Sequence, residues 1–323
     1  MGTLRGLIAA GLVFMVQCVS ATSITLNYSM DSTNFFGAGT DARTVLEAAR
    51  DFFEVRVTDV LGSIMPMPGI GNTWTARGVD PSDGTTIFEI PNLELGDEII
   101  VFVGARDLGV ATNLGVGGPG FSAGSGSPVS GSQAFIDSVT MRGQGPGVGT
   151  NEIAIWGGSL ALNINTAWNF DLNSGPGAGG ANGLSSLLHE IGHVLGFGTA
   201  LSFSTMINES NQFVGATTGV VDLQGGSAHW KDGIESTVAD GFESYIGLLA
   251  GTMQETAMDP TIFTGTRKLF TDLDLAALDD IGWDIANPPV VIPLPGGVWM
   301  LLSGIVLLGL NRVSFRRTVD LET

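Results

Sequence analysis

The sequence predicts an α+β fold, because helix-like and strand-like stretches follow one another along a chain without internal repeats. Apolar residues recur at helical spacing over residues 40–61 and again over residues 183–196. Residues 86–90 and 98–103 are rich in β-branched and aromatic residues and are bounded by Gly, Pro and Asp, which is typical of strands. No Pro-rich linker divides residues 22–288, so we expect these elements to belong to one domain.

The first helix has a defined start and an apolar face. Thr40 or Asp41 can cap it, and we expect it to run to about Leu61. The face that we expect to pack in the core consists of Val45, Leu46, Ala49, Phe52, Phe53 and Val60.

Two Gly-containing segments follow the strands. Residues 115–120 match the dinucleotide-binding pattern GxGxxG, but the residues after them cannot open the helix that this fingerprint requires. We therefore expect a mobile surface loop there. Residues 152–163 alternate like a strand, and Gly157-Gly158 within them suggests a bulge.

Composition indicates a folded, acidic, extracellular type of chain. Its 323 residues are 44% hydrophobic, enough for a sizeable core. A net charge of −19 repels phosphate backbones and anionic lipid surfaces, which excludes nucleic acid as an expected partner. The 48 glycines predict many turns. The one cysteine, Cys18, lies in an N-terminal apolar run, so the mature chain is predicted to lack thiols.

That N-terminal run predicts a signal peptide over residues 1–21. Arg5 precedes an apolar stretch from Leu7 to Val16, and Val19-Ser20-Ala21 offers the small residues that a signal peptidase requires. The stretch is shorter than the roughly 20 residues of a spanning helix. We expect export with cleavage after Ala21, the alternative being an N-terminal anchor.

The C-terminal residues 289–323 predict a membrane-engaging tail. Pro293-Leu294-Pro295 precedes an apolar run, residues 296–310, and a basic end at Arg312, Arg316 and Arg317. This arrangement resembles the PEP-CTERM sorting tail, although Leu294 replaces its Glu. The resemblance implies a cell-surface, outer-membrane, extracellular-matrix or secreted protein, an exosortase-like sorting enzyme as partner, and membrane contact only through this helix. A permanent anchor is the alternative.

The strongest chemical signal lies in the second predicted helix, GLSSLLHEIGHVLG, for which Asn182 is a plausible N-cap. His189 and His193 are four residues apart, so both imidazoles can reach one metal ion from the same helix face. Glu190 lies between them and can act as general base toward a water on Zn²⁺. Gly196 is expected to end the helix.

Zinc needs a third protein ligand, and His229 is the only other histidine. HEIGHVLGFG resembles the start of the metzincin motif HExxHxxGxxH, with Thr199 where its third His would stand. The delayed His229, followed by Trp230, and the Met-turn Ala257-Met258-Asp259-Pro260 resemble the leishmanolysin and matrixin branches of the metzincins. Residues 271–283 look like the closing helix of bacterial relatives.

The resemblance implies a zinc metalloendopeptidase acting on protein or peptide substrates. It implies a mixed sheet and an active-site helix in an N-terminal subdomain (22–198), followed by a mainly irregular or helical C-terminal subdomain (199–288). It also implies that residues 152–163 form the edge strand with which a substrate pairs, although their pattern fits an ordinary core strand equally well. It further implies that Met258 packs beneath the zinc. Two alternatives stay open: Glu209 as a thermolysin-like third ligand, and a non-catalytic zinc site in a surface or biofilm-matrix protein.

Overall fold

The computed structural model describes residues 22–122, 126–142, 155–173, 179–226, 228–242 and 250–286. These residues belong to one compact unit that ends at Ala286. The predicted signal peptide (1–21) and sorting tail (289–323) lie outside the described residues. Within the part that the structure describes, no helix is long and apolar enough to cross a membrane.

The described chain is α+β, as the sequence predicts. Its helices are α1 (Asp41–Glu54), α2 (Gln133–Thr140), α3 (Gly183–Val194), α4 (Leu201–Thr205) and α5 (Asp272–Asp280), with a 3-10 turn at Pro68–Ile70. Its first strands are β1 (Ser23–Asn27), β2 (Thr73–Val79), β3 (Ile87–Pro91), β4 (Glu98–Arg106), β5 (Gly115–Pro119), β6 (Val129–Ser130) and β7 (Gly157–Asn163). The later strands are β8 (Trp168–Asn169), β9 (Ala181–Asn182), β10 (Gln212–Gly215), β11 (Gly219–Asp222), β12 (Glu235–Thr237) and β13 (Met253–Glu255).

A four-stranded mixed sheet with the order β1-β4-β7-β5 carries the site. β1, β4 and β7 are parallel, and β5 runs antiparallel to β7 at one edge. Strand β4 is apolar on both faces because side chains alternate across a sheet and here both faces are covered. Its residues Val101 and Val103 join the core around α1 and α3, whereas Phe102 joins a second core around β2 and β3.

Helix α1 begins where the sequence predicts but ends earlier. The Thr40 side chain caps it, and the helix stops at Glu54 rather than near Leu61. The chain beyond it turns extended because Val57 forms an antiparallel bridge with Ile285. Val60, expected in the core, is therefore exposed, at 66% of its surface.

Three expectations about the glycine-rich segments are wrong: the surface loop at residues 115–120, and the edge position and the bulge of residues 152–163. Residues 115–119 form strand β5, which is the edge of the sheet, and not a surface loop. Strand β7, in contrast, lies between β4 and β5, so it is not the edge. Its pairing continues without a bulge through Gly157 and Gly158, because the missing side chain at Gly158 lets the backbone of Gly118 approach.

After α3 the chain forms short elements, among them the β10–β11 and β12–β13 pairs. The β10–β11 turn is fastened to the end of α5. Asp280 accepts hydrogen bonds from the backbone N–H groups of Thr217 and Thr218, at 2.7 and 2.8 Å. The β10–β11 hairpin is therefore held in a fixed position against α5.

Candidate metal centre

Helix α3 places two of the histidines. Its N-cap Asn182 accepts hydrogen bonds from the N–H and the hydroxyl of Ser185, at 3.0 and 2.9 Å, as the sequence predicts. Almost every residue of α3 is buried, and its leucine and isoleucine side chains pack in the main core. His189 and His193 therefore project from a rigid element, one turn apart.

Glycines turn the chain away directly after α3. Gly196 and Gly198 have φ angles of +104° and +68°, in the left-handed region where a side chain is strained. A methyl group at Gly198 would also collide with the backbone of Ala228, the neighbour of His229. Thr199 is not a ligand here: its hydroxyl donates to the carbonyl of His193 at 2.7 Å. The turn thus brings the distant His229 segment to the helix end.

The three histidines meet at their Nε2 atoms. His193 Nε2 lies 3.0 Å from those of His189 and His229, and the latter two are 3.2 Å apart. Tetrahedral coordination with Zn–N bonds of about 2.0–2.1 Å places two nitrogens roughly 3.3 Å apart. The group can therefore hold one small metal ion.

The tautomers of the helix histidines suit metal binding. His189 Nδ1 lies 2.7 Å from the carbonyl oxygen of Ala257, and His193 Nδ1 lies 2.8 Å from that of Phe197. Each Nδ1–H donates, so each Nε2 keeps its lone pair. Burial lowers the pKa of His189 and lowers that of His193 to about 4. Neutral imidazoles whose Nε2 lone pairs converge form a binding site for a cation.

Glu190 lies beside this group, under the edge strand. It is 6% exposed and accepts a hydrogen bond from the backbone N–H of Gly117. Burial raises the pKa of Glu190 to about 8, and the Gly117 N–H opposes that shift. The carboxylate is thus held in a low-dielectric place at the metal centre.

Met258 packs against α3 at Gly192, the residue before His193. It is fully buried, and a methyl group at Gly192 would lie 2.6 Å from its Sδ atom. The preceding residue, Ala257, supplies the carbonyl that orients His189. The predicted Met-turn segment therefore contacts α3 through Met258 and orients His189 through the carbonyl of Ala257.

Asp274 of α5 ties these segments together. Its Oδ2 accepts from Thr271 N–H and hydroxyl at 2.9 and 2.8 Å and from Ala257 N–H at 2.9 Å. Its Oδ1 accepts from Met258 N–H at 3.3 Å and from the indole N–H of Trp230 at 2.9 Å. One fully buried carboxylate thus fixes the helix cap, the Met258 turn and the residue next to His229. The local sequence around Asp274 does not indicate its contacts with Met258 and Trp230.

The metal centre opens into a cleft of about 880 Å³. Residues of β5 form one wall, and Pro260, Thr261 and Phe263 form part of the other. Lys268 also lines the cleft, where its ammonium group lies 3.0 Å from Asp259. The room around the histidines is therefore sufficient for an extended peptide segment.

A second cluster of carboxylates, Asp232, Glu255 and Asp259, lies nearby. Lys268 Nζ is 2.7 Å from Glu255 and 3.0 Å from Asp259, so an ammonium group already compensates two of the three. Glu209, the alternative third ligand, is exposed and belongs to neither metal-compatible group among the described residues.

No family model, curated protein or solved structure matches the chain.

Proposed function

We propose that the chain is a zinc-dependent endopeptidase. The observation that carries this proposal is the convergence of three histidine Nε2 atoms within 3.2 Å beside Glu190, facing an open cleft. Three protein ligands with an accessible fourth position are the pattern of catalytic rather than structural zinc sites. The metzincin-like order of these residues in the sequence supports the same reaction class.

Zinc bound there would lower the pKa of a water molecule and polarise the scissile carbonyl. A zinc ion held by the histidines would favour the ionised form of Glu190, against the burial that favours its neutral form. The ionised Glu190 carboxylate accepts the proton of the attacking water and then donates it to the leaving amine nitrogen. His189 and His193 stay neutral and fixed because backbone carbonyls hold their Nδ1–H groups. The buried setting of Glu190 strengthens its interactions with charge that develops in the cleft.

The substrate would bind along β5. This strand is the edge of the sheet and lines the cleft, so an extended peptide can add to it by backbone hydrogen bonds. In this proposal β5 has the substrate-pairing role expected for residues 152–163.

The alternative is a surface or biofilm-matrix protein whose zinc only braces the fold. Structural zinc sites are closed by four protein ligands. Here Glu190 lies beside a three-histidine group in a cleft wall, where bracing has no use for a buried carboxylate.

The test compares metal content and casein cleavage of the full chain with those of Glu190→Gln and of Glu209→Gln, a control on an exposed glutamate. We expect Glu190→Gln to keep one zinc per chain and to lose about 10²–10⁴-fold in kcat, with Glu209→Gln unchanged. Cleavage surviving in Glu190→Gln would refute the general base. Bound zinc without cleavage across a broad peptide library would favour the bracing role.

We also propose that the protein is exported to the cell surface. This proposal depends on the signal-peptide pattern of residues 1–21 and the sorting-tail pattern of residues 289–323. N-terminal sequencing of the exported chain should begin at Thr22, and an unprocessed N-terminus would contradict it.

A further inference from the structure

The edge strand β5 carries glycine wherever a side chain would meet Glu190. A methyl group added at Gly115 would lie 2.5 Å from Glu190 Oε1, 2.8 Å from its Cγ and 2.9 Å from its Cδ. At Gly117 an added methyl group would collide with the backbone carbonyl of Glu190. The strand can therefore lie on α3 only without side chains on this face.

The other face of β5 is free of this constraint. Val116 is 43% exposed, and a methyl group added at Gly118 would have no atom within 4 Å. Residues alternate across a strand, so Gly115 and Gly117 share the face toward α3. The requirement for glycine is therefore specific to the positions that face Glu190 and does not apply to the whole strand.

The two glycines act on different parts of Glu190. Gly117 meets its backbone and donates its own N–H to the carboxylate, whereas the three atoms nearest to an added methyl group at Gly115 all belong to the side chain. A glutamate side chain has three rotatable bonds, and the space above Gly115 admits the carboxylate in the observed position. Filling that space displaces the flexible carboxylate and leaves the backbone where it is.

We propose that Gly115 is a positioning residue for Glu190: its missing side chain provides the slot that holds the carboxylate in line with the metal centre. The inference depends on the proposed function of Glu190 as general base and deepens it. Proton transfer requires heavy atoms within about 2.6–3.2 Å, and a misplacement of about 1 Å can cost roughly 100-fold in rate. Metal binding uses the histidines alone, so it does not need the slot.

The first experiment measures zinc content and peptide hydrolysis of Gly115→Ala in the full chain. We expect one zinc per chain, kcat lowered by about 100-fold, and KM changed by less than about threefold. An unchanged kcat, or a rise in KM with kcat preserved, would overturn the proposal and assign Gly115 to substrate pairing instead.

The second experiment needs no activity and uses a double-mutant cycle on Tm. Gly115→Ala should lower Tm by about 2–4 °C, as mild overpacking does, but should cost nothing in a Glu190→Ala chain, which lacks the colliding atoms. Gly117→Ala should lower Tm with or without the Glu190 side chain, because its added methyl group meets the backbone of Glu190. Gly118→Ala, on the open face, should keep Tm and zinc content.

These outcomes separate the two proposals. If the unaltered chain cleaves no peptide, the proposed function fails, and the Tm cycle still decides whether Gly115 holds the carboxylate. Equal Tm losses for Gly115→Ala with and without the Glu190 side chain would refute the slot, whatever the activity.

Discussion

Replacing Asp274 with asparagine should weaken both the fold and the metal centre. The carboxylate accepts five hydrogen bonds through two oxygens, while an amide offers one oxygen and one NH₂ group. If NH₂ takes the place of Oδ1, the N–H groups of Met258 and Trp230 lose their acceptor. If it takes the place of Oδ2, three donors lose theirs.

The orientation of the amide that loses only two hydrogen bonds sets the expected loss of stability. A hydrogen bond to a charged group contributes about 1.5–3 kcal/mol, so two lost bonds cost about 3–6 kcal/mol. For a domain near this size each kcal/mol lowers Tm by about 2–4 °C, which gives a fall of roughly 6–24 °C. Because Trp230 adjoins His229 and Ala257 orients His189, we also expect about 10–100-fold weaker zinc binding.

Thermal unfolding and a competitive zinc titration measure the two effects. Asp272→Asn is the matched control, since it removes an exposed carboxylate from the same helical turn. Surface changes of this kind stay within about 0.5 kcal/mol. If Asp274→Asn and Asp272→Asn gave the same Tm and zinc affinity, the role assigned to the Asp274 hydrogen bonds would be wrong.

Two further predictions concern the ligands and the support beneath them. His229→Ala should lose stoichiometric zinc while Glu209→Ala retains it, as measured by metal analysis after gel filtration; the reverse result would restore the thermolysin-like alternative. Met258→Ala should leave a cavity against Gly192 and cost about 2–5 kcal/mol in chemical denaturation, whereas Met253→Ala, at a position 63% exposed, should cost under about 1 kcal/mol. Similar costs for the two methionines would contradict the packing described for Met258.

The predicted parts of the site are those that local sequence determines. Helix α3 follows from its apolar periodicity and from the Asn182 cap, and the spacing of His189 and His193 follows from the helix itself. His229 could be named because the chain has no other histidine to offer. The structure brings these three together, and the identity of the ion stays a prediction.

The parts that could not be predicted depend on contacts far along the chain. Strand β5 has few of the residue types that favour strands; it forms because it pairs with β7 and lies against α3. Asp274 could have been found only in part. Its position three residues after Thr271 matches a capping box, but its bonds to Met258 and Trp230 depend on tertiary structure.

The β10–β11 hairpin, which lies in the chain between His193 and His229, lowers the entropy that is lost when the three histidines bind an ion. His229 follows His193 by 36 residues, and closing a flexible loop of that length costs about 3 kcal/mol. Asp280 fastens the hairpin to α5, so the loop-closure entropy is already lost when the chain folds, before any ion binds. An ion at the histidines would then bind ligands that are already gathered, so its affinity would reflect bond formation with little ordering of the loop.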